Sequence, residues 1–321
     1  MTSTNPYLIS GPALISYSGG RTSGFMLKKI ADAYEGCLPD NLVTAFSDTG
    51  KEREETLRFV YECGQRWGIP IVWLEWRPTP EQAQAAADRG DEIAPWMLEN
   101  ATPEKFAIVG YNSASRDGEP FRGIIATRQL LPNVTMRYCT SKLKVDVMRR
   151  LMLSRGFERW NNAVGLRYDE GHRVLKQLAR NDAGRERYTA VMPMASAKVK
   201  VTQQDVLRFW LGETGRLEDG VRPQGFDLEL QSYEGNCDLC FLKKQSTLKA
   251  LMRDRPGCEE WWIRREAENA GRTRDPRMAR FNKDFSFAGL ADEVRSQPFM
   301  PGLDDEEFDA ECGLTCTGDE I

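Results

Sequence analysis

The segment Ser18-Gly19-Gly20-Arg21-Thr22-Ser23 is the part of this chain best equipped to hold a phosphate. It stands where an apolar run, Pro12 to Ser18, gives way to a helical pattern. Paired glycines let a backbone turn tightly and approach an anion with no Cβ in the way. A helix N-terminus adds free N–H groups and the positive end of a dipole. Ser18, Thr22 and Ser23 contribute hydroxyls and Arg21 a charge. The segment fits neither G-x4-G-K-[ST] nor G-x-G-x-x-G. Taken alone it also reads as a simple Gly-Gly turn capping the helix.

Thiols form the second reactive set. The eight cysteines are Cys37, Cys63, Cys139, Cys237, Cys240, Cys258, Cys312 and Cys316, and His172 is the single histidine. In a cytosolic chain, paired cysteines point to metal or redox chemistry more than to structural disulfides. One histidine argues against a multi-histidine zinc site and against a Ser-His-Asp hydrolase, so a metal here would be held mostly by thiolates. Cys237-Asp238-Leu239-Cys240 is a C-x-x-C in a turn-forming context, able with Cys139 to grip one ion or one cluster. Cys37 and Cys63 read as structural or incidental. Cys258, just before Trp261-Trp262, reads as packing, and the two tryptophans as core or interface.

The elements that must position these groups alternate. Pro12 to Ser18, Asn41 to Ser47 and Ile69 to Trp76 read as strands. Thr22 to Tyr34 and Arg53 to Trp67 read as helices, the second with Leu57, Val60, Tyr61 and Gly64 on its buried face. Such alternation predicts a parallel sheet with right-handed crossovers. Arg77 to Gly118 is irregular and reads as an insertion or lid with short helices. Glu119 to Leu131, Lys142 to Leu153 and Thr202 to Leu211 read as helices, Thr202 as an N-cap. Trp160 to Leu166 reads as a strand followed by the loop Arg167-Tyr168-Asp169-Glu170. Beyond Gly225 come the C-x-x-C loop, a Trp-rich helix from Glu259 to Asn269 and an acidic tail, Asp304-Asp305-Glu306-Glu307. The division expected is an α/β nucleotide-binding domain over 1–224, with an irregular insertion at 77–118, and a C-terminal cluster-binding region over 225–321.

With 321 residues, 40% hydrophobic and 29% charged, the chain has ample material for a sizeable core. Its net charge of -4 lacks the basic excess of a protein that coats duplex DNA, so nucleic-acid contact would need a local patch. No apolar run is long enough for a bilayer span and no signal peptide is visible, so a cytoplasmic location is expected, with no membrane partner.

The loop resembles the PP-loop, S-G-G-x-x-S, of the adenine nucleotide α-hydrolase-like superfamily, which includes ATP pyrophosphatases and phosphoadenylyl-sulfate (PAPS) reductases. The family's K-D after the glycines is Arg21-Thr22 here. Phe46-Ser47-Asp48-Thr49-Gly50, with Glu54-Glu55-Thr56 beyond it, resembles the D-T-G…P-E-T segment of PAPS reductases. Tyr138-Cys139-Thr140 with Leu143-Lys144 resembles their C-C-x-x-x-K segment. Gly165-Leu166-Arg167 with Glu170 and Arg173 resembles G-x-R-x-x-[EQ]-x-x-x-R. Met192-Pro193-Met194 with Val201-Thr202 to Asp205-Val206 resembles N-P-L…W-T-x-x-D-V. The matches keep the family's order over residues 12 to 241, and the chain is similar to phage and bacterial PAPS reductase-like proteins.

The resemblance implies a Rossmann-like sheet. It also implies an adenine nucleotide (ATP, APS or PAPS) on Ser18 to Ser23, Asp48, Thr49, Lys144 and Gly165, with Arg167 and Arg173 on the sulfate or phosphate. It implies a [4Fe-4S] cluster on Cys139, Cys237 and Cys240, zinc being the alternative. The tail Glu311-Cys312-Gly313-Leu314 matches the family's E-C-G-[LI]-H up to its histidine, which is Thr315 here. One assignment makes Cys312 the nucleophile and Cys316 the fourth cluster ligand. The reverse stays open, as do Cys258 as the ligand and a cluster with an open iron. The acidic Asp309 and Glu311 disfavour a Cys312 thiolate unless the arginines lie close. The first functional expectation is sulfonucleotide reduction with a thioredoxin-like reductant. The alternative is ATP- and Mg2+-dependent sulfur transfer to a nucleic acid, and a third is a non-catalytic nucleotide- or cluster-sensing module. Homo-oligomers are left open.

Overall fold

The computed structural model describes residues 5–235, 237–272 and 279–296. Six strands form one sheet: β1 (Ala13–Tyr17), β2 (Leu42–Asp48), β3 (Ile71–Trp76), β4 (Phe106–Val109), β5 (Trp160–Ala163) and β6 (Tyr188–Val191). Their order is β4-β3-β2-β1-β5-β6. All neighbours run parallel except β4, an antiparallel edge strand on β3. The chain therefore folds as an α/β protein with a Rossmann-like sheet. β1 and β2 are buried along their whole length, as central parallel strands covered on both faces must be. Alternation sends Leu14, Val43, Ala45 and Leu74 into one core and Ala13, Ile15, Tyr17 and Phe46 into the other.

The first helices are α1 (Arg21–Ala33), α2 (Glu54–Trp67), α3 (Pro80–Asp88), α4 (Ala94–Glu99) and α5 (Glu119–Arg128). Next, α6 (Tyr138–Thr140) runs through a π-helical stretch, Ser141–Asp146, into α7 (Val147–Ser154). α8 (Gly171–Ala183), α9 (Gln203–Leu211), α10 (Gln245–Asp254), α11 (Glu260–Ala270) and α12 (Phe287–Ser296) complete the set. α1, α2 and α9 cover one face of the sheet. α3, α4, α5, α7 and the C-terminal helices cover the other, where Trp262 stacks on Phe287 at 5.2 Å. Among the described residues no helix is long and apolar enough to cross a membrane.

Local signals account for many of the boundaries. Thr79 builds a reciprocal capping box with Gln82, with Pro80 in the first turn of α3. Thr202 does the same with Asp205 at the start of α9, so its N-cap assignment holds. α2 ends on Gly68, whose φ of 63° is the left-handed cap that glycine suits.

Several expectations need correction. The segment after Arg77 is not only loop and short helix, since it supplies the edge strand β4. Trp160 to Leu166 is strand only to Ala163, because the chain then turns toward α1. Tyr61 does not face the core: it is 43% exposed and stacks on Tyr111 at 4.9 Å, while Phe59 and Cys63 fill the buried face of α2. Lys142 to Leu153 is not a uniform α-helix, being π-helical in its first part. α8, β6, α10 and α12 were not foreseen.

Candidate active site

The strand order reverses beside β1: β2 and β3 lie to one side, β5 and β6 to the other. Crevices at the C-terminal ends of strands where such an order reverses are where α/β sheets bind ligands. The Ser18–Ser23 loop leaves β1 at this point, and Val164 to Arg167 leave β5 beside it. A Cβ on Gly165 would stand 3.3 Å from Ser23 Cα, a tight contact that would press the two turns slightly apart.

Gly19 is needed for a different reason than anion approach. Its φ is +78°, and a Cβ there would lie 2.7 Å from Thr56 Cγ2 and 3.1 Å from Phe46 and Val60. The loop is thus wedged onto α2 and β2. Ser23 Oγ holds the turn closed, accepting from Ser18 N at 3.2 Å, donating to Gly20 O at 3.0 Å and lying 2.9 Å from Ser18 Oγ. The N-cap of α1 is Gly20, which has no side chain to cap the helix, and no acidic residue stands in the first turn. The positive end of that helix dipole therefore has no carboxylate of its own turn against it.

Arg21 departs from the sequence expectation. Its Nε and Nη2 donate to the two carboxylate oxygens of Asp227 at 2.8 and 2.5 Å. Their side chains are only 8% and 0% exposed. A bidentate guanidinium–carboxylate pair is a strong, directional contact, and it neutralises the charge assigned to a phosphate. The backbone carbonyl of Arg21 also accepts from Trp210 Nε1 at 2.9 Å. The residue locks α1 to α9 and to the segment at Asp227.

Arg167 does reach the loop. Its Nη1 donates to Thr22 Oγ1 at 3.1 Å, its Nε to Asp169 at 3.0 Å, and its backbone N–H to Glu170 at 2.9 Å. Arg173, on the first turn of α8, pairs with the other oxygen of Glu170. Glu170 therefore ties Arg173 to the backbone of Arg167, the residue that reaches Thr22.

A second polar cluster lies at the end of β2. Asp48 is completely buried; its Oδ1 accepts from Gly50 N at 2.8 Å, and Oδ2 meets no donor among the described residues. Burial, then the charges of Glu52 and Glu75, pushes the Asp48 carboxyl well above the usual carboxylate range. Glu52 goes the other way: burial raises it, but Lys144 and hydrogen bonds from Asp48 and Thr49 outweigh that and hold it low. Thr49 donates to Glu52 through its N–H at 2.8 Å and its hydroxyl at 2.7 Å. Lys144, from the π-helical stretch, stands 3.2 Å from Glu52 Oε1 and 3.5 Å from Cys237 Sγ. Asp48, Thr49, Lys144 and Cys237 are thus brought together by Glu52, which sequence reasoning missed. The signal was present: Thr49-x-x-Glu52 has the spacing of a capping box.

The thiols are less gathered. Cys139, Cys237, Cys240 and Cys258 are half-buried and form no disulfide among the described residues. Lys243, pushed down to about 8 by burial, lies near Cys237 and Cys240. Cys139 and Cys258 pack against the hydrophobic core. Among the described residues no three His, Cys, Asp or Glu side chains are arranged to hold a metal ion. Those residues do not by themselves form a cage for a cluster or for zinc. Cys312 and Cys316 lie outside the described residues.

The chain is similar to the "Uncharacterized nin region protein ORF290" of Escherichia phage lambda, 24% identical over 247 residues, covering 77% of this chain and 71% of the relative. No protein-family model and no solved structure matches the chain.

Proposed function

We propose that the crevice between the β1–α1 loop and the turn after β5 binds an adenine nucleotide, and that the protein is a PAPS reductase-like enzyme reducing a sulfonucleotide to sulfite. One observation carries this reading: Arg167 bonds to Thr22 at 3.1 Å across the reversal in strand order, beside an α1 N-terminus with no acidic residue in its first turn. Two arginines pinned by one glutamate form a fork suited to a tetrahedral oxyanion. In this reading APS or PAPS lays its phosphate on the N-terminal turn of α1. Its sulfate lies at Arg167 and Arg173, which hold the charge that builds on the departing phosphate oxygen.

The nucleophile is the Cys312 thiolate, assigned from the Glu-Cys-Gly-Leu tail. It attacks the sulfate sulfur. The S–O bond to the nucleotide breaks, AMP or its 3′-phosphate leaves, and a thiosulfonate forms on the cysteine. A dithiol reductant of the thioredoxin class then attacks the cysteine sulfur, releasing sulfite and ending as a disulfide. No step passes through a cluster.

The test is anaerobic incubation of the purified protein with APS or PAPS and a dithiol, scoring sulfite and nucleotide product together. Equal amounts of both, lost in Arg167→Ala, are expected. No sulfite from either nucleotide overturns the proposal.

A further inference from the structure

Residues 167–200 hold eight cations (Arg167, Arg173, Lys176, Arg180, Arg185, Arg187, Lys198 and Lys200) against four carboxylates (Asp169, Glu170, Asp182 and Glu186). That is a local net of +4 in a chain whose total is -4. Arg167 and Arg173 spend their charge on Asp169 and Glu170. Among the described residues, Lys176, Arg180, Arg185, Arg187 and Lys198 have no ion-pair partner.

The flank owes its shape to an unusual helix. α8 turns a mostly polar stripe inward: Gln177 is buried, and Asn181 clamps the backbone of Ala190 in β6 with bonds of 2.8 and 2.9 Å. Leu175 and Leu178 are left outside, 68% and 45% exposed. Tyr168, one residue from Arg167, is 48% exposed, and Lys200 Nζ sits 5.4 Å from its ring centre. Tyr168 is anchored by its N–H, which donates to Val201 O at 2.9 Å.

We infer that this flank, running from α8 past Tyr168 to the crevice, binds a single-stranded polynucleotide. The unmatched cations track the phosphates, Tyr168 stacks a base, and Leu175 and Leu178 cover sugar and base faces. A membrane surface fits less well, because the two leucines share their helix face with Asp182 instead of forming a continuous apolar stripe. The inference is independent of the sulfonucleotide reading: it concerns side chains outside the nucleotide crevice, and its test needs no nucleotide.

The experiment is fluorescence anisotropy of the full chain with a labelled oligothymidylate or oligouridylate of about twenty nucleotides, longer than one single-strand binding fold occupies. Five phosphate contacts predict a log–log salt slope near -3.5, or roughly fifty-fold weaker binding between 50 and 150 mM salt. Lys176→Gln with Arg187→Gln is expected to weaken binding about tenfold and to flatten the slope by about 1.4, while the charge-keeping pair Lys176→Arg with Arg187→Lys stays near wild type. Tyr168→Ala loses roughly fivefold or more. All three substituted side chains are at the surface, and matching thermal melts show that each variant folds. No binding at the lower salt, or binding that the Gln pair leaves unchanged, overturns the inference. So does binding to phosphatidylserine vesicles without binding to either oligonucleotide.

Discussion

Arg21→Met separates two roles for a residue that sits in the first turn after the β1–α1 loop. The structure gives the guanidinium to Asp227, whose side chain is fully buried and also accepts from Glu229 N at 2.8 Å. Methionine keeps much of the volume but leaves that carboxylate without its cation. Breaking a buried pair by removing one partner costs about 3–5 kcal/mol, because the remaining charge stays buried and unpaired. For a chain of this size that corresponds to a melting temperature lower by roughly 4–7 °C. Adding Asp227→Asn removes the stranded charge and keeps an acceptor for Glu229 N, so the double variant should recover most of the loss, a coupling a double-mutant cycle reads directly. The assay pairs thermal melts of the four proteins with nucleotide titrations at a temperature where all are folded. The double variant is expected to bind nucleotide within about threefold of wild type, a difference under 1 kcal/mol. If Arg21→Met melts with wild type yet binds more than about tenfold more weakly, a loss of about 1.4 kcal/mol, Arg21 serves the ligand and the structural reasoning fails.

Gly19→Ala forces a side chain into a left-handed backbone, at about 1–2 kcal/mol. It also presses on Thr56, Phe46 and Val60, for about 1–3 more. A melt within error of wild type would contradict the wedge. Glu266, pushed up to about 7 by burial, is held in its protonated form more firmly folded than unfolded. Its contribution is complete below its ordinary value of 4.5 and is lost as pH rises through 7. Tryptophan fluorescence of the α11–α12 region should therefore report lower stability at pH 8 than at pH 5, with a smaller difference in Glu266→Gln. An unchanged difference refutes it. Among the described cysteines, exposed Cys37 should alkylate readily. Cys63, buried with its sulfur accepting from Tyr17 OH at 3.1 Å, should alkylate only on unfolding. Mass mapping after brief labelling decides this.

The central sheet was legible because β1, β2 and β3 are apolar runs separated by amphipathic helices, and the Gly-Gly turn marked the first junction. α8 was not, because it inverts the usual rule: Gln177 and Asn181 face inward while Leu175 and Leu178 face water, so no apolar stripe points to a core. β6 is a short edge strand whose pattern, Tyr-Thr-Ala-Val, is too brief to read. Within the site, the loop, Arg167, Asp48 and Lys144 could be named from motif order. The partners that decide what they do, Asp227 for Arg21 and Glu52 for Lys144, lie 206 and 92 positions away in sequence and are joined only by the fold. Tyr61 failed because helical spacing gives a face but not its width, and Tyr111 from beyond β4 offered a surface stack instead.

The most direct test of the proposed nucleotide crevice is calorimetric titration of APS, PAPS and ATP into wild type and Gly165→Val. The account predicts saturable one-to-one binding of at least one nucleotide to wild type. Affinity should fall about tenfold or more in the variant, whose side chain intrudes on Ser23 3.3 Å away. Absence of binding by wild type, or equal binding by a folded variant, would contradict it.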